Sequence, residues 1–179
     1  MPPFVLVDEE VLAEGFRFTV ARARYRAEDG TEFERDVVHH PGAVGVLPLH
    51  DDGTITLVRQ YRAALGRDLL EVPAGIRDVD GEDDATTASR ELVEEAGLAA
   101  GKVELLATFH NSPGFSDESV AVYLATDLHP VDDDRQGIEE QHMTVERLPL
   151  DDVLALIDAG EITDAKTLVG VAALARRRR

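Results

Sequence analysis

The chain contains no cysteine, which excludes disulfides, cysteine-ligated zinc and thiol nucleophiles. Positive charge is scarce: 18 Lys and Arg stand against 36 Asp and Glu, a formal net charge of −18. That balance argues against a nucleic-acid partner, because phosphate backbones are held mainly by Lys and Arg. No apolar run approaches the roughly eighteen residues of a membrane span, so no membrane partner is expected. The opening MPPFVLVDEE has neither a basic flank nor a small-residue cleavage site, so no secretory signal is expected and the cytoplasm is the expected compartment. Three phosphate-binding or nucleophile motifs are also missing: G-x-x-x-x-G-K-[ST], G-x-G-x-x-G and G-x-S-x-G. The one basic cluster, Arg176 to Arg179, follows a helical pattern. It is read as a solvated helix end, where Arg suits the helix dipole.

What is present suits a medium-sized globular domain. The 179 residues are 44% hydrophobic and 30% charged, enough for a sizeable core. FRFTVARARYRA (16–27) alternates like a half-exposed strand, and EDG (28–30) and DDG (51–53) are hairpin signals. Further strands are expected at about 34–39, 42–48, 54–60, 68–73, 102–110, 119–126 and 143–147. Residues 84–96 form a helical pattern, with Asp83 or Asp84 as N-cap and Gly97 as the stop. Two more helices are expected at about 150–159 and 164–177. Mixed strands with few helices indicate an α+β chain, here an α/β/α sandwich with a mixed sheet. Residues 1–40 read as a small antiparallel β subdomain appended to a main domain, 41–179. His39 and His40 sit on opposite faces of a strand and are read as structural.

The stretch SRELVEEAGL (89–98) poses a physical problem. Glu91, Glu94 and Glu95 share about one helical turn, and like charges at that spacing repel by about 0.2–0.5 kcal/mol per pair. A helix built only for solubility would alternate Glu with Lys. Two readings compete. One is a solvated acidic face beside the apolar stripe Ala85, Ala88, Leu92 and Ala96. The other is one wall of a site for a hard divalent ion such as Mg²⁺, which takes oxygen ligands and bridges carboxylates to phosphates. A calcium loop is excluded on spacing. An EF-hand beginning at Asp78 needs Gly at its sixth position and Glu at its twelfth, where Asp83 and Ser89 stand.

From Glu82, the pattern E-x₇-R-E-L-x-E-E-x-G-L resembles the Nudix box, the signature of hydrolases of nucleoside diphosphates linked to another moiety. Glu82, Arg90, Glu91, Leu92, Glu94, Glu95, Gly97 and Leu98 fall on its fixed positions. One departure is that Gly75 lies seven residues before Glu82, where the family pattern has six, so the loop carries one extra residue. EVPAG (71–75), RQYR (59–62) and SPGFSDE (112–118) are similar to the ADP-ribose pyrophosphatase branch, with Pro113 fifteen residues after Leu98.

The resemblance implies the following roles. Glu91, Glu95 and the backbone carbonyl of Ala74 are metal ligands, with Glu94 a third carboxylate ligand or a catalytic residue. Arg90 orients a glutamate, and Glu82 is either a water-mediated ligand or the lead-in to the helix. Glu140, in EEQHM (139–143), is the general base, with Glu139 as runner-up. Arg62, Glu71, Gly114 and Glu118 contact substrate, and Arg35 reaches the partner subunit's substrate. The implied cofactor is Mg²⁺, with Mn²⁺ as substitute. The implied substrate is a nucleoside diphosphate sugar, first of all ADP-ribose, hydrolysed to AMP and ribose 5-phosphate by a homodimer paired through residues 1–40. Other nucleotide sugars, dinucleotides and a non-catalytic ADP-ribose sensor are the alternatives.

Overall fold

The computed structural model describes residues 3–132 and 142–177. Glu139 and Glu140 lie outside them, as do Arg178 and Arg179. The chain divides into two compact units, 1–42 with 110–119, and 43–109 with 120–179. The first unit therefore takes in a later segment that a simple boundary at residue 40 leaves with the main domain.

In the first unit, β1 (Phe4–Glu14), β2 (Thr19–Ala27) and β3 (Glu32–His39) form an antiparallel sheet in the order β1-β2-β3. The arginines of β2 pair across the sheet: Arg22 with Asp36 at 2.9 Å, Arg26 with Glu32 at 2.7 Å, and Arg24 with Asp8. Such exposed pairs each contribute little and mainly favour the register. Every residue of β1 is exposed, including Phe4, Val5, Leu6 and Val11.

Segment 110–119 docks on β3. The Val38 amide donates to the Phe115 carbonyl at 2.7 Å, and the Asp117 amide donates to the Val38 carbonyl at 3.2 Å. His39 fastens the contact, with Nδ1 2.6 Å from Asp117 and Nε2 3.1 Å from Glu9 on β1. His40 instead accepts from the Gly42 amide through Nδ1 at 3.0 Å.

In the second unit, β4 (Ala43–Pro48), β5 (Thr54–Arg62), β6 (Arg67–Glu71) and β7 (Ala74–Ile76) precede α1 (Asp84–Ala96). Then come β8 (Leu98–His110), β9 (Ser119–Pro130), β10 (Thr144–Pro149), α2 (Leu150–Asp158) and α3 (Ala165–Arg177). One sheet runs β7-β4-β9-β8, with β4 parallel to β9 and antiparallel to β7; the other runs β10-β5-β6. The single strand expected at 68–73 is in fact broken. β6 pairs with β5 and β7 with β4, and the chain changes sheets at Val72–Pro73. Pro73 has no amide to give a ladder, but its carbonyl accepts from the Val46 amide at 2.9 Å.

β4 explains the layering. Val44 and Val46 join Ala88 and Leu92 of α1 in one core. Leu47, one step out of phase, joins Val171 and Leu174 of α3, with Ile55, Leu57 and Val153, in another. Both faces of the strand are covered, so it reads as a continuous apolar run. Helix α3 approaches closely at Gly170, where a Cβ would sit 3.0 Å from Val122 and 3.3 Å from Leu47. The result is an α+β fold with the sheet held between helices.

The Asp117 hydrogen bond, and then Glu9, hold the His39 imidazole above its ordinary pKa. A raised pKa stabilises the folded state fully below the unfolded value, and that contribution is lost as pH rises through the folded value. The docking of residues 115–117 on β3 should therefore loosen as pH rises past about 6.5. Hydrogen exchange at the Asp117 amide, corrected for its intrinsic pH dependence, should show this in the native chain and not in His39→Gln. Identical profiles in both would rule out the His39 contribution.

Candidate active site

Helix α1 begins where Asp83 caps it, its carboxylate accepting from the amides of Ala85 and Thr86, both at 3.0 Å. It ends at Gly97, whose φ of 62° is the left-handed geometry that glycine adopts without strain. Between these points the face toward the sheet carries Ala88 and Leu92, and also Glu91 and Glu95. Glu91 and Glu95 are only 8% and 4% exposed. The solvated-face reading is therefore wrong for these two residues.

Both carboxylates lie against β7. Glu95 Oε2 accepts the Ala74 amide at 2.9 Å. Glu91 lies directly over Gly75, so close that a Cβ there would fall 1.9 Å from Oε1. Gly75 is thus required by the carboxylate above it, since its φ is not in the left-handed region. Burial pushes the Glu95 carboxyl up to about 8; the Ala74 amide opposes this, Glu91 adds to it, and Arg62 and Lys166 pull it back.

Arg90 lies among the acidic side chains. Its guanidinium is 2.8 Å from Glu91, 3.1 Å from Glu94 and 3.3 Å from Glu82. Glu82 directly precedes the cap, and Glu94 is more open than its two neighbours on the helix. Among the described residues no three acidic or histidine side chains converge as a complete metal cage. Two buried carboxylates one turn apart, beside a backbone that leaves a Cβ-sized space, still form a donor set suited to a hard divalent ion. Such an ion usually keeps several waters and takes substrate oxygens rather than an all-protein cage.

Below this pair sits a polar cluster that the sequence reading only partly reached. Glu71 is fully buried and accepts from Arg62 at 2.8 Å through Nε and 2.7 Å through Nη2. Lys166, from the first turn of α3, donates to the same carboxylate. Glu71 is therefore placed to anchor Arg62, and its oxygens already have donors. The Arg62 side chain remains 39% exposed on its far side. Gln60, on the same face of β5 as Arg62, is buried, and its side-chain Nε2 has no hydrogen-bond partner among the described residues. The RQYR motif contains this residue, yet nothing in local pattern distinguishes it from an ordinary strand polar group.

The remaining candidates lie in the first unit. Arg35 and Gly114 line one cavity of about 920 Å³ together with Tyr25, Phe33 and Phe115. Phe33 stacks on Tyr25 at 5.5 Å, and the Arg35 guanidinium lies 4.9 Å from the Phe33 ring centre. A Cβ on Gly114 would meet nothing within 4 Å among the described residues, and its φ is not left-handed, so the turn itself does not demand glycine. Glu118 is held by the Asn111 side-chain amide at 2.8 Å.

Comparison with known proteins agrees with this geometry. The NUDIX domain family profile matches residues 39–169. An ADP-ribose pyrophosphatase of Mycobacterium tuberculosis is 41% identical over 171 residues, 96% of this chain and 83% of that one. One of Bacillus subtilis is 41% identical over 143 residues, 80% and 77% of the respective chains. A solved structure described as an ADP compounds hydrolase superposes with a TM-score of 0.83 at 21% identity, covering 98% of this chain and 94% of its own, which establishes the shared fold. The chain belongs to the Nudix family and is an enzyme of its pyrophosphohydrolase kind.

The close approach at Gly75 makes a prediction. Gly75→Ala must displace Glu91 from the strand, and ångström-scale misplacement of a catalytic group can cost about 10²-fold in rate. Steady-state assays should show a loss of that order while circular dichroism shows the fold retained. Near-native turnover would mean that the Glu91 position is not critical.

Proposed function

We propose that the protein hydrolyses the diphosphate of ADP-ribose to AMP and ribose 5-phosphate, using Mg²⁺, with Mn²⁺ as substitute. The observation that carries this reading is the burial of Glu91 and Glu95, one helical turn apart, against Ala74 and Gly75. The names of the two relatives at 41% identity support the substrate.

Glu91, Glu95 and the Ala74 carbonyl would hold the metal, with Glu94 as a further ligand. A bound divalent ion would offset phosphoryl charge and lower the pKa of water. In the reaction, water forms a bond to one phosphorus as the bridging P–O bond breaks. A proton passes from the water to Glu140, the proposed general base, or to Glu94 in a second assignment. Arg62, docked on Glu71, offers its open side to the developing negative charge. Arg90 orients the glutamates around it. Gly114 and Glu118 are proposed substrate contacts, and Arg35 is proposed to act on the partner subunit's substrate. Mediating ions also explain how a chain of net charge −18 binds a diphosphate.

The test is product release from ADP-ribose, an ADP-sugar, a UDP-sugar, NADH and a diadenosine polyphosphate, in Mg²⁺ and in EDTA. ADP-ribose should be preferred and its turnover lost in EDTA. Glu95→Gln should abolish turnover, and Glu140→Gln should lower kcat far more than affinity. Metal-dependent preference for another member would discard the substrate, and binding of ADP-ribose without any turnover would favour a sensor.

We also propose a homodimer paired through the first unit. Its β1 exposes Phe4, Val5, Leu6, Val11 and Leu12 along one strand, and exposed apolar patches of this kind mark interaction surfaces. Light scattering should give twice the chain mass; a monomer at micromolar concentration would refute the pairing.

A further inference from the structure

Residues 71–75 run beneath the catalytic glutamates, and each is held by a different partner. The Glu71 carboxylate takes Arg62 and Lys166. The Val72 amide donates to Thr167 Oγ1 at 2.9 Å. The Pro73 carbonyl accepts from Val46, the Ala74 amide donates to Glu95, and Gly75 lies under Glu91. Two of these five attachments come from the first turn of α3, nearly a hundred positions away in sequence.

That turn is itself locked. Asp164 accepts from the Thr167 amide at 2.9 Å and its hydroxyl at 2.6 Å, capping the helix, and its other oxygen accepts from Lys166 at 2.9 Å. Lys166 is 12% exposed and Asp164 14%. The stem of Lys166 crosses β4 at Gly45, where a Cβ would come within 3.5 Å of its Cδ. Two cations and two carboxylates thus form a closed set, with Arg62 at its open edge.

Buried ion pairs are weak contributors to net stability, since apolar replacements of similar volume are often neutral or better. What such a set does supply is fixed geometry, because each carboxylate lone pair and each charged donor has one place to go. Here the fixed object is the Arg62 fork. Glu71 accepts from its Nε and Nη2, and Lys166 donates to the same carboxylate from another element.

We propose that Lys166 is a positioning residue for the hydrolysis: from the start of α3 it fixes Glu71, and through Glu71 the Arg62 guanidinium, without touching substrate. The proposal rests on the function proposed above.

A double-mutant cycle with full-length protein, ADP-ribose and Mg²⁺ tests it. Lys166→Met should fold, by circular dichroism, and lose about 10- to 100-fold in kcat/KM, the scale expected for a misplaced catalytic group. Lys166→Arg should recover part of the loss. Arg62→Ala combined with Lys166→Met should be no worse than Arg62→Ala alone, because residues acting as one unit are not additive. A Lys166→Met rate within about twofold of native, or a double loss equal to the product of the single losses, overturns the proposal. If Lys166→Met does not fold, Asp164→Asn replaces it in the cycle with the same criteria, since it retains oxygen for the Thr167 cap. A native chain that turns over none of the five substrates refutes the proposed function and this role with it. An active native chain with an unaffected Lys166→Met refutes this role alone.

Discussion

Two carboxylates buried on one helical face, against a strand of backbone, are the constraint around which the second unit is organised. Burying an ionised carboxylate is costly unless its oxygens are satisfied. The protein answers with three devices in succession: an amide at Ala74, an absent side chain at Gly75, and the Arg90 guanidinium alongside. None of these functions unless α1 starts at a defined residue, because one residue of slippage would rotate the glutamates by about 100°. The Asp83 cap and the Gly97 stop therefore fix where the two buried carboxylates lie as much as where the helix ends.

The same constraint reaches across the sheet. Helix α1 packs on one side of β4 through Val44 and Val46, and α3 packs on the other through Leu47. The short strand β7 pairs with β4 directly opposite Val44 and Gly45. An acidic protein has collected three of its few cations here: Arg62 and Lys166, from different elements, share Glu71, and Arg90 lies beside Glu91 on its own helix. Charge is scarce in one sign overall but locally balanced where the backbone must stay still.

Much of this was legible in sequence, for identifiable reasons. Helix α1 announced both its ends through Asp83 and Gly97, and the spacing of its glutamates identified the family. The burial of Glu91 and Glu95 was not legible, because periodicity counts a glutamate as polar wherever it points. The break at Val72–Pro73 was hidden because the apolar residues run on through LLEVP, although β6 ends at Glu71 and β7, in the other sheet, starts only at Ala74. β8 starts at Leu98, four residues before the strand expected at about 102–110. Lys166 carries no local signal, since its partner Glu71 lies 95 positions away. The extra residue between Gly75 and Glu82 proves easy to absorb. Gly75 is fixed by Glu91 above it, and the spacer runs through the turns at 78–83, which bear no strand pairing.

The first unit is discontinuous, and this shapes the order in which the chain can be made. Its sheet is complete by residue 39, but the segment that docks on β3 follows only after the whole of residues 43–109. Ribosomes deliver about 5–20 residues per second, so the nascent N-terminal sheet waits some seconds for its last piece. During that interval the β3 edge is open to solvent, as β1 is throughout, and open edges are where edge-to-edge misassociation starts. The acidic residues of β1, Asp8, Glu9, Glu10 and Glu14, interrupt its apolar stretch, and charges so placed disfavour aggregation of a strand that must wait for its partners.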